Sequence, residues 1–186
     1  MSKLISPRRR YSGLPVRSLV PNILTVLALC AGLTSIRYSL DARWEAAVAA
    51  IMVAAVLDSL DGRLARLLKG ATKFGAELDS LSDFVSFGVA TVMVLYLWEL
   101  KDVKPGGWVI TLTFCVCCAL RLARFNTALD EPDRPAWTAS YFSGIPTPAA
   151  AGLVLLPLVL SFEAGDAALV SKYLVAANTA VVAFLM

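Results

Sequence analysis

Histidine does not occur in this chain of 186 residues, which excludes every mechanism that needs an imidazole as base or metal ligand. Proton transfer and ligation fall instead to carboxylates, thiols and hydroxyls. Cysteine is scarce: Cys30, Cys115, Cys117 and Cys118 stand inside apolar runs without a pair of CxxC motifs, and read as small membrane-buried hydrophobes rather than metal or redox groups. There is no internal repeat and no low-complexity segment. A cleavable signal peptide is not expected, because the first apolar run starts near Leu19 and leads directly into further apolar runs.

What the chain has in excess is apolar length. Hydrophobic residues make up 58% of it and the mean hydropathy is +0.71, above what soluble domains carry. A hydrocarbon core about 30 Å thick takes roughly 20 apolar residues per helical crossing, which leaves room for about six. Apolar runs fall at about 19–40, 44–68, 75–98, 107–125, 146–162 and 169–186. The expectation is an all-α, polytopic membrane protein with six transmembrane helices, in which residues 1–18 form a cytoplasmic N-terminal segment and 19–186 the membrane domain. Turn formers mark the connections, as in Lys104-Pro105-Gly106-Gly107 and in the longest, about 126–145, with Pro132, Pro135 and Gly144.

The net charge of +3 matters less than its distribution. Arg8, Arg9 and Arg10 precede a membrane span, so they read as a positive-inside anchor and not as a nucleic-acid site or presequence. One side of the spans holds twelve basic residues: Lys3, Arg8, Arg9, Arg10, Arg17, Arg63, Arg66, Lys69, Lys73, Arg121, Arg124 and Arg134. The other holds five, Arg37, Arg43, Lys101, Lys104 and Lys172. The bias places both termini and the 62–75 junction in the cytoplasm.

The second run is unusual. Its apolar half, Ala46 to Leu57, leads into Asp58, Asp61, Arg63 and Arg66 before any turn signal, and the next helix soon carries Glu77, Asp79 and Asp83. An unpaired carboxylate at membrane depth costs several kcal/mol, so these acids should face a water-filled or metal-filled cavity. On a helix, Asp58, Asp61, Gly62, Ala65 and Arg66 share one face, and Asp79 and Asp83 lie one turn apart with Gly75 a turn earlier. Two antiparallel helices joined by the short Lys69-to-Phe74 connection would bring the four carboxylates together. Such a set needs compensating positive charge, and all-oxygen ligation favours hard ions, Mg²⁺ or Mn²⁺. Small residues at 62, 65 and 75 admit a bulky ligand, and Arg66 offers a fork for a phosphate oxygen. The plain alternative, aspartates merely paired with Arg63, Arg66, Lys69 and Lys73, does not account for two acid pairs together with three small residues.

At these positions the sequence resembles the CDP-alcohol phosphotransferase family, whose signature D-x-x-D-G-x-x-A-R-x₈₋₉-G-x-x-x-D-x-x-x-D is met at every fixed residue. The resemblance implies a six-helix membrane fold, a homodimer, a cytoplasm-facing cavity and two divalent cations. It implies that Asp58, Asp61, Asp79 and Asp83 hold the metals, that Asp83 is also the general base, that Gly62, Ala65 and Gly75 line the CDP site and that Arg66 contacts phosphate. Arg121-Leu-Ala-Arg124-Phe-Asn126, Gly144-Ile-Pro-Thr-Pro148 and Pro21-Asn22-Ile-Leu-Thr25 look like the phosphatidylserine synthase branch. That likeness points to CDP-diacylglycerol and L-serine as substrates and to the bacterial-type inner membrane as location.

Arg121 and Arg124, three apart, could point into one cavity and bind the phosphatidyl phosphate, or anchor the helix end in the cytoplasm. Asn22 could hydrogen-bond the nucleotide or cap the first helix after Pro21, and Pro146 and Pro148 should shape the start of the fifth. The last run reaches Met186 without a basic flank, whereas many bacterial members of the branch continue further, which leaves the last helix and any dimer surface there open. Three other functions compete. A different acceptor, glycerol 3-phosphate or an inositol phosphate, would demand extra cations, and the same two arginines could supply them. A cation channel or transporter would place acids at several depths, whereas these gather at one end of two helices; a purely structural subunit would not need the embedded charge.

Overall fold

The computed structural model describes residues 16–68, 72–129, 144–164 and 171–186. Among them lie six helices: α1 (Val16–Leu40), α2 (Trp44–Leu67), α3 (Lys73–Trp98), α4 (Gly106–Leu129), α5 (Thr147–Ala164) and α6 (Lys172–Leu185). In lipid a backbone must satisfy its own polar groups, and helices do so within one segment. The order and limits follow the apolar runs, with one notable extension. Helix α4 continues to Leu129, carrying Asn126 inside it, because no helix breaker occurs before Pro132. Residues 1–15, with Arg8 to Arg10, lie outside the described residues, as do Lys69 and Arg134.

Three stretches are long and apolar enough to cross a membrane: Leu19–Leu40, Lys73–Trp98 and Gly106–Thr127. Helices α5 and α6 are apolar but shorter, at 18 and 14 residues, or about 27 and 21 Å at about 1.5 Å per residue. Charge at its acidic end keeps α2 from matching a purely apolar span.

Helix α3 is not uniform. An α-helical part, Lys73–Asp83, gives way to a π-helical turn, Phe84–Ala90, before α-helix resumes at Thr91. It starts cleanly, for Thr72 accepts a hydrogen bond from the Gly75 amide at 3.0 Å and so caps the first turn. Helix α3 runs through the centre, packed by α1, α2, α4 and α5, and α1 lies along α2. Close approach between helices rests on small residues, since lipid offers no hydrophobic force to drive them together. Ala47 and Ala54 of α2 are fully buried, and a side chain at Gly32 of α1 would collide with Ser86 of α3.

The ends sort by polarity. At one end Lys172 donates to the Asp102 carbonyl, and burial, then Asp102, push the Glu99 carboxyl above its ordinary range against the pull of Lys172 and Lys101. At the other the Ile145 amide donates to the Leu185 carbonyl, and all four membrane-embedded aspartates lie toward this end. Outward faces carry large exposed apolar side chains such as Met52, Val56, Leu112 and Leu156, which suit contact with lipid.

Candidate active site

The site grows out of an ordinary packing stripe. Ala47, Ile51 and Ala54 form the buried face of α2, and steps of four and three continue it through Asp58, Asp61 and Ala65. The acids therefore occupy core-facing positions. Asp61 is 3% exposed, while Arg63, Arg66 and Lys73 among the described residues are exposed; Lys69, the fourth cation of the pairing alternative, lies outside them. Helix α3 presents Asp79 and Asp83 from the opposite side.

Carboxylate oxygens of Asp58, Asp61 and Asp79 lie within 4.8 Å of one another. A donor set of three carboxylates at that spacing fits a hard divalent cation. Asp83 stands beside this group: its carboxyl is within hydrogen-bonding reach of Asp58, and its Oδ1 is buried with no hydrogen-bond partner among the described residues. A buried acceptor without a partner is costly unless a ligand or proton serves it. The structure thus brings all four aspartates to one place but separates Asp83 from the three that can share an ion.

Next to the acids opens a cavity of about 260 Å³. Gly62, Ala65, Arg66 and Gly75 of the signature line it with Asp61 and Asp79, together with Asn22 from α1. Gly75 is needed for close approach, since a Cβ there would sit 3.0 Å from Asn22 Oδ1 and 3.2 Å from Thr72 Oγ1. Gly62 is different. A Cβ there would meet nothing within 4 Å, so no neighbour among the described residues explains the glycine, and open space lies beside it. Asn22 is not a cap, because α1 begins at Val16 and carries Pro21 in its interior.

The arginines expected to share that cavity do not line it. Arg121 turns to α5, donating to the Thr147 hydroxyl at 2.9 Å, and its Nε is buried without a partner among the described residues. Arg124 is exposed. Steps of three on a helix do not ensure a common target when one side chain is captured by a neighbouring helix. Pro146 precedes α5 and Pro148 lies in its first turn, where proline is tolerated, as expected.

Four residues that the signature does not contain complete the site. Thr25 donates to Asp61 Oδ2 at 2.6 Å, and Thr72 lines the cavity while capping α3. Asn126 and Ser80 exchange hydrogen bonds at 3.0 and 3.1 Å, tying α4 to the acidic part of α3. Thr25 and Asn126 stand in the branch-like stretches and Thr72 directly before a helical run, whereas Ser80 carried no signal of its own.

Residues 18–184 match the family model described as CDP-alcohol phosphatidyltransferase. The CDP-diacylglycerol–serine O-phosphatidyltransferase of Mycobacterium leprae is 51% identical over 149 residues, covering 79% of this chain and 49% of that protein. The protein of the same name from Mycobacterium tuberculosis H37Rv is 45% identical over 148 residues, 80% of this chain and 51% of that protein. That of Bacillus subtilis is 35% identical over 143 residues, 77% of this chain and 75% of that protein. The chain spans about half the length of the mycobacterial relatives it matches.

Proposed function

Because the chain belongs to the CDP-alcohol phosphatidyltransferase family, we propose that it transfers the phosphatidyl group of CDP-diacylglycerol to the hydroxyl of L-serine and releases CMP. The observation that carries the chemistry is the meeting of Asp58, Asp61 and Asp79 within 4.8 Å beside a cavity lined by Gly62, Ala65, Arg66 and Gly75. Serine as acceptor rests on the relatives, all three of which bear that activity in their names. The protein works as a homodimer with six membrane crossings, both termini and the site facing the cytoplasm of a bacterial-type inner membrane. Three helices long and apolar enough to cross, the basic-residue bias and the family likeness support that placement.

Asp58, Asp61 and Asp79, with Asp83 as a fourth ligand, would hold two divalent cations. Mg²⁺ or Mn²⁺ bound there supplies Lewis-acid neutralisation of a pyrophosphate. The nucleotide occupies the cavity, where the bare face of Gly62 lets it approach α2 and Arg66 meets a phosphate oxygen. Asp83 takes the serine hydroxyl proton as the oxygen bonds to the phosphorus that bears diacylglycerol. The bond from that phosphorus to the bridging oxygen breaks, and CMP leaves with the electron pair. Asp83 suits the task because it touches Asp58 yet keeps an oxygen free of protein partners among the described residues.

Two measurements test this reading. Purified protein in detergent, given CDP-diacylglycerol, Mn²⁺ and one alcohol at a time, should form lipid product and CMP with serine and none with glycerol 3-phosphate or an inositol phosphate. A product with either of those and none with serine would overturn the acceptor assignment; no CMP with any alcohol would overturn the transferase reading and leave the transporter. In addition, Gly62→Ala should stabilise α2 by up to about 1 kcal/mol, as alanine does in a helix interior, yet raise KM for CDP-diacylglycerol. An unchanged KM would remove the nucleotide from that face.

A further inference from the structure

Thr25 of α1 touches both acid-bearing helices. Its hydroxyl lies 2.6 Å from Asp61 Oδ2 on α2 and 3.1 Å from the Pro21 carbonyl on its own helix. Its backbone carbonyl accepts a hydrogen bond from the Ser82 hydroxyl on α3 at 3.1 Å. All three partners in this relay are sealed from solvent, with Thr25 4%, Asp61 3% and Ser82 3% exposed.

A threonine inside a helix ordinarily returns its single hydroxyl proton to the carbonyl four residues back, here Pro21. Thr25 has a better acceptor. A bond to a carboxylate is charge-assisted, shorter and roughly twice as strong as one between neutral groups, and the 2.6 Å separation falls in that range. The hydroxyl therefore donates its proton to the hydrogen bond with Asp61 Oδ2, which fixes the rotation of that carboxylate while an oxygen of Asp61 stands within 4.8 Å of Asp58 and Asp79. Ser82 sits between Asp79 and Asp83 in sequence, so the carbonyl of the same residue sets the height of α3 against α2.

We infer that Thr25 is a positioning residue for the metal site: its hydroxyl orients Asp61 and its carbonyl registers α3, so that one residue of α1 aligns the two halves of the carboxylate set. The inference rests on the proposal that Asp58, Asp61 and Asp79 bind a divalent cation. Outer hydrogen bonds of this kind typically alter metal affinity or activity by about 10–100-fold.

Mn²⁺ titrated into the detergent-solubilised full chain, with the free-ion electron paramagnetic resonance signal as readout, tests it. Wild type should bind; Thr25→Val, which keeps the shape and loses the hydroxyl, should bind about 10–100-fold more weakly, and Thr25→Ser should return toward wild type. With CDP-diacylglycerol and serine, the Mn²⁺ concentration for half-maximal rate should rise in Thr25→Val while kcat at saturating Mn²⁺ largely recovers. A wild-type chain that binds no Mn²⁺ overturns the metal reading itself. A wild type that binds and a Thr25→Val with an unchanged midpoint overturns the role of Thr25, and so does a fall in thermal midpoint with no change in Mn²⁺ binding. Thr25→Ala and Thr25→Cys enter the same titration if valine does not accumulate. If every variant without the hydroxyl fails to accumulate while serine folds, the residue serves the fold alone and the inference is refuted.

Discussion

Asp83→Asn should lower phosphatidyl transfer by about 10²–10⁴-fold, the usual contribution of a positioned base, while CDP-diacylglycerol binding stays measurable. The carboxamide matches the carboxylate in shape but cannot take up a proton, and a serine hydroxyl is a poor nucleophile at neutral pH. Asp83 does not line the nucleotide cavity. Its carboxyl lies against Asp58 and away from the cavity lining, so the nucleotide pocket of Gly62, Ala65, Arg66 and Gly75 should survive. Incorporation of labelled serine into lipid measures the first quantity, and retention of labelled CDP-diacylglycerol by the protein measures the second. Turnover near wild type would sink the base assignment; loss of binding would show that Asp83 serves CDP-diacylglycerol binding as well as proton transfer.

The second large effect concerns the cation. EDTA should bring turnover to background, and Mg²⁺ or Mn²⁺ should restore it where Zn²⁺ does not, because an all-carboxylate set favours hard ions. Asp79→Asn should do nearly as much damage and resist rescue by excess metal. Metal electrostatics are worth several kcal/mol, which at about 1.4 kcal/mol per tenfold is on the order of 10³-fold in rate. Asp79 is the informative member, since it alone brings α3 to the three-carboxylate group. Its loss leaves Asp58 and Asp61 on one helix, with no facing donor among the three. Steady-state rates across a Mn²⁺ series decide the matter, and activity that survives chelation would refute a metal-dependent mechanism.

The acidic site was readable because membrane burial makes charge conspicuous. Asp58, Asp61, Asp79 and Asp83 interrupt apolar runs at helical spacing, and both facts are local to the chain. The helices were readable for the same reason, down to starts near Trp44, Gly106 and Thr147. What stayed hidden depends on contacts between distant segments. Thr25 stands in the Pro21-to-Thr25 stretch, but its acceptor is hidden until α2 brings Asp61 beside it, 36 residues away. Arg121 shares a motif with Arg124, yet Thr147 of α5 takes its guanidinium, a partner 26 residues on that no spacing within α4 reveals. Asn126 read as part of a loop-side motif and proves to brace α3 through Ser80. The chemistry lay in residue identity, and the alignment of that chemistry lay in tertiary contacts.

The π-helical turn at Phe84–Ala90 begins at the residue after Asp83. A single turn of this kind takes up roughly one more residue than an α-turn, which rotates the remainder of the helix by about 100°, the angle of one residue on an α-helix. The two ends of α3 are thus cut to different phases. Below the offset, Asp79 and Asp83 face α2; above it, Val92, Val94 and Leu95 are wholly enclosed by the bundle. An uninterrupted α-helix holding that apolar half in place would swing the acids away from Asp58 and Asp61 by the same angle. The offset therefore lets a single helix turn its acids toward α2 at one end while its other end fills the centre of the bundle with apolar side chains.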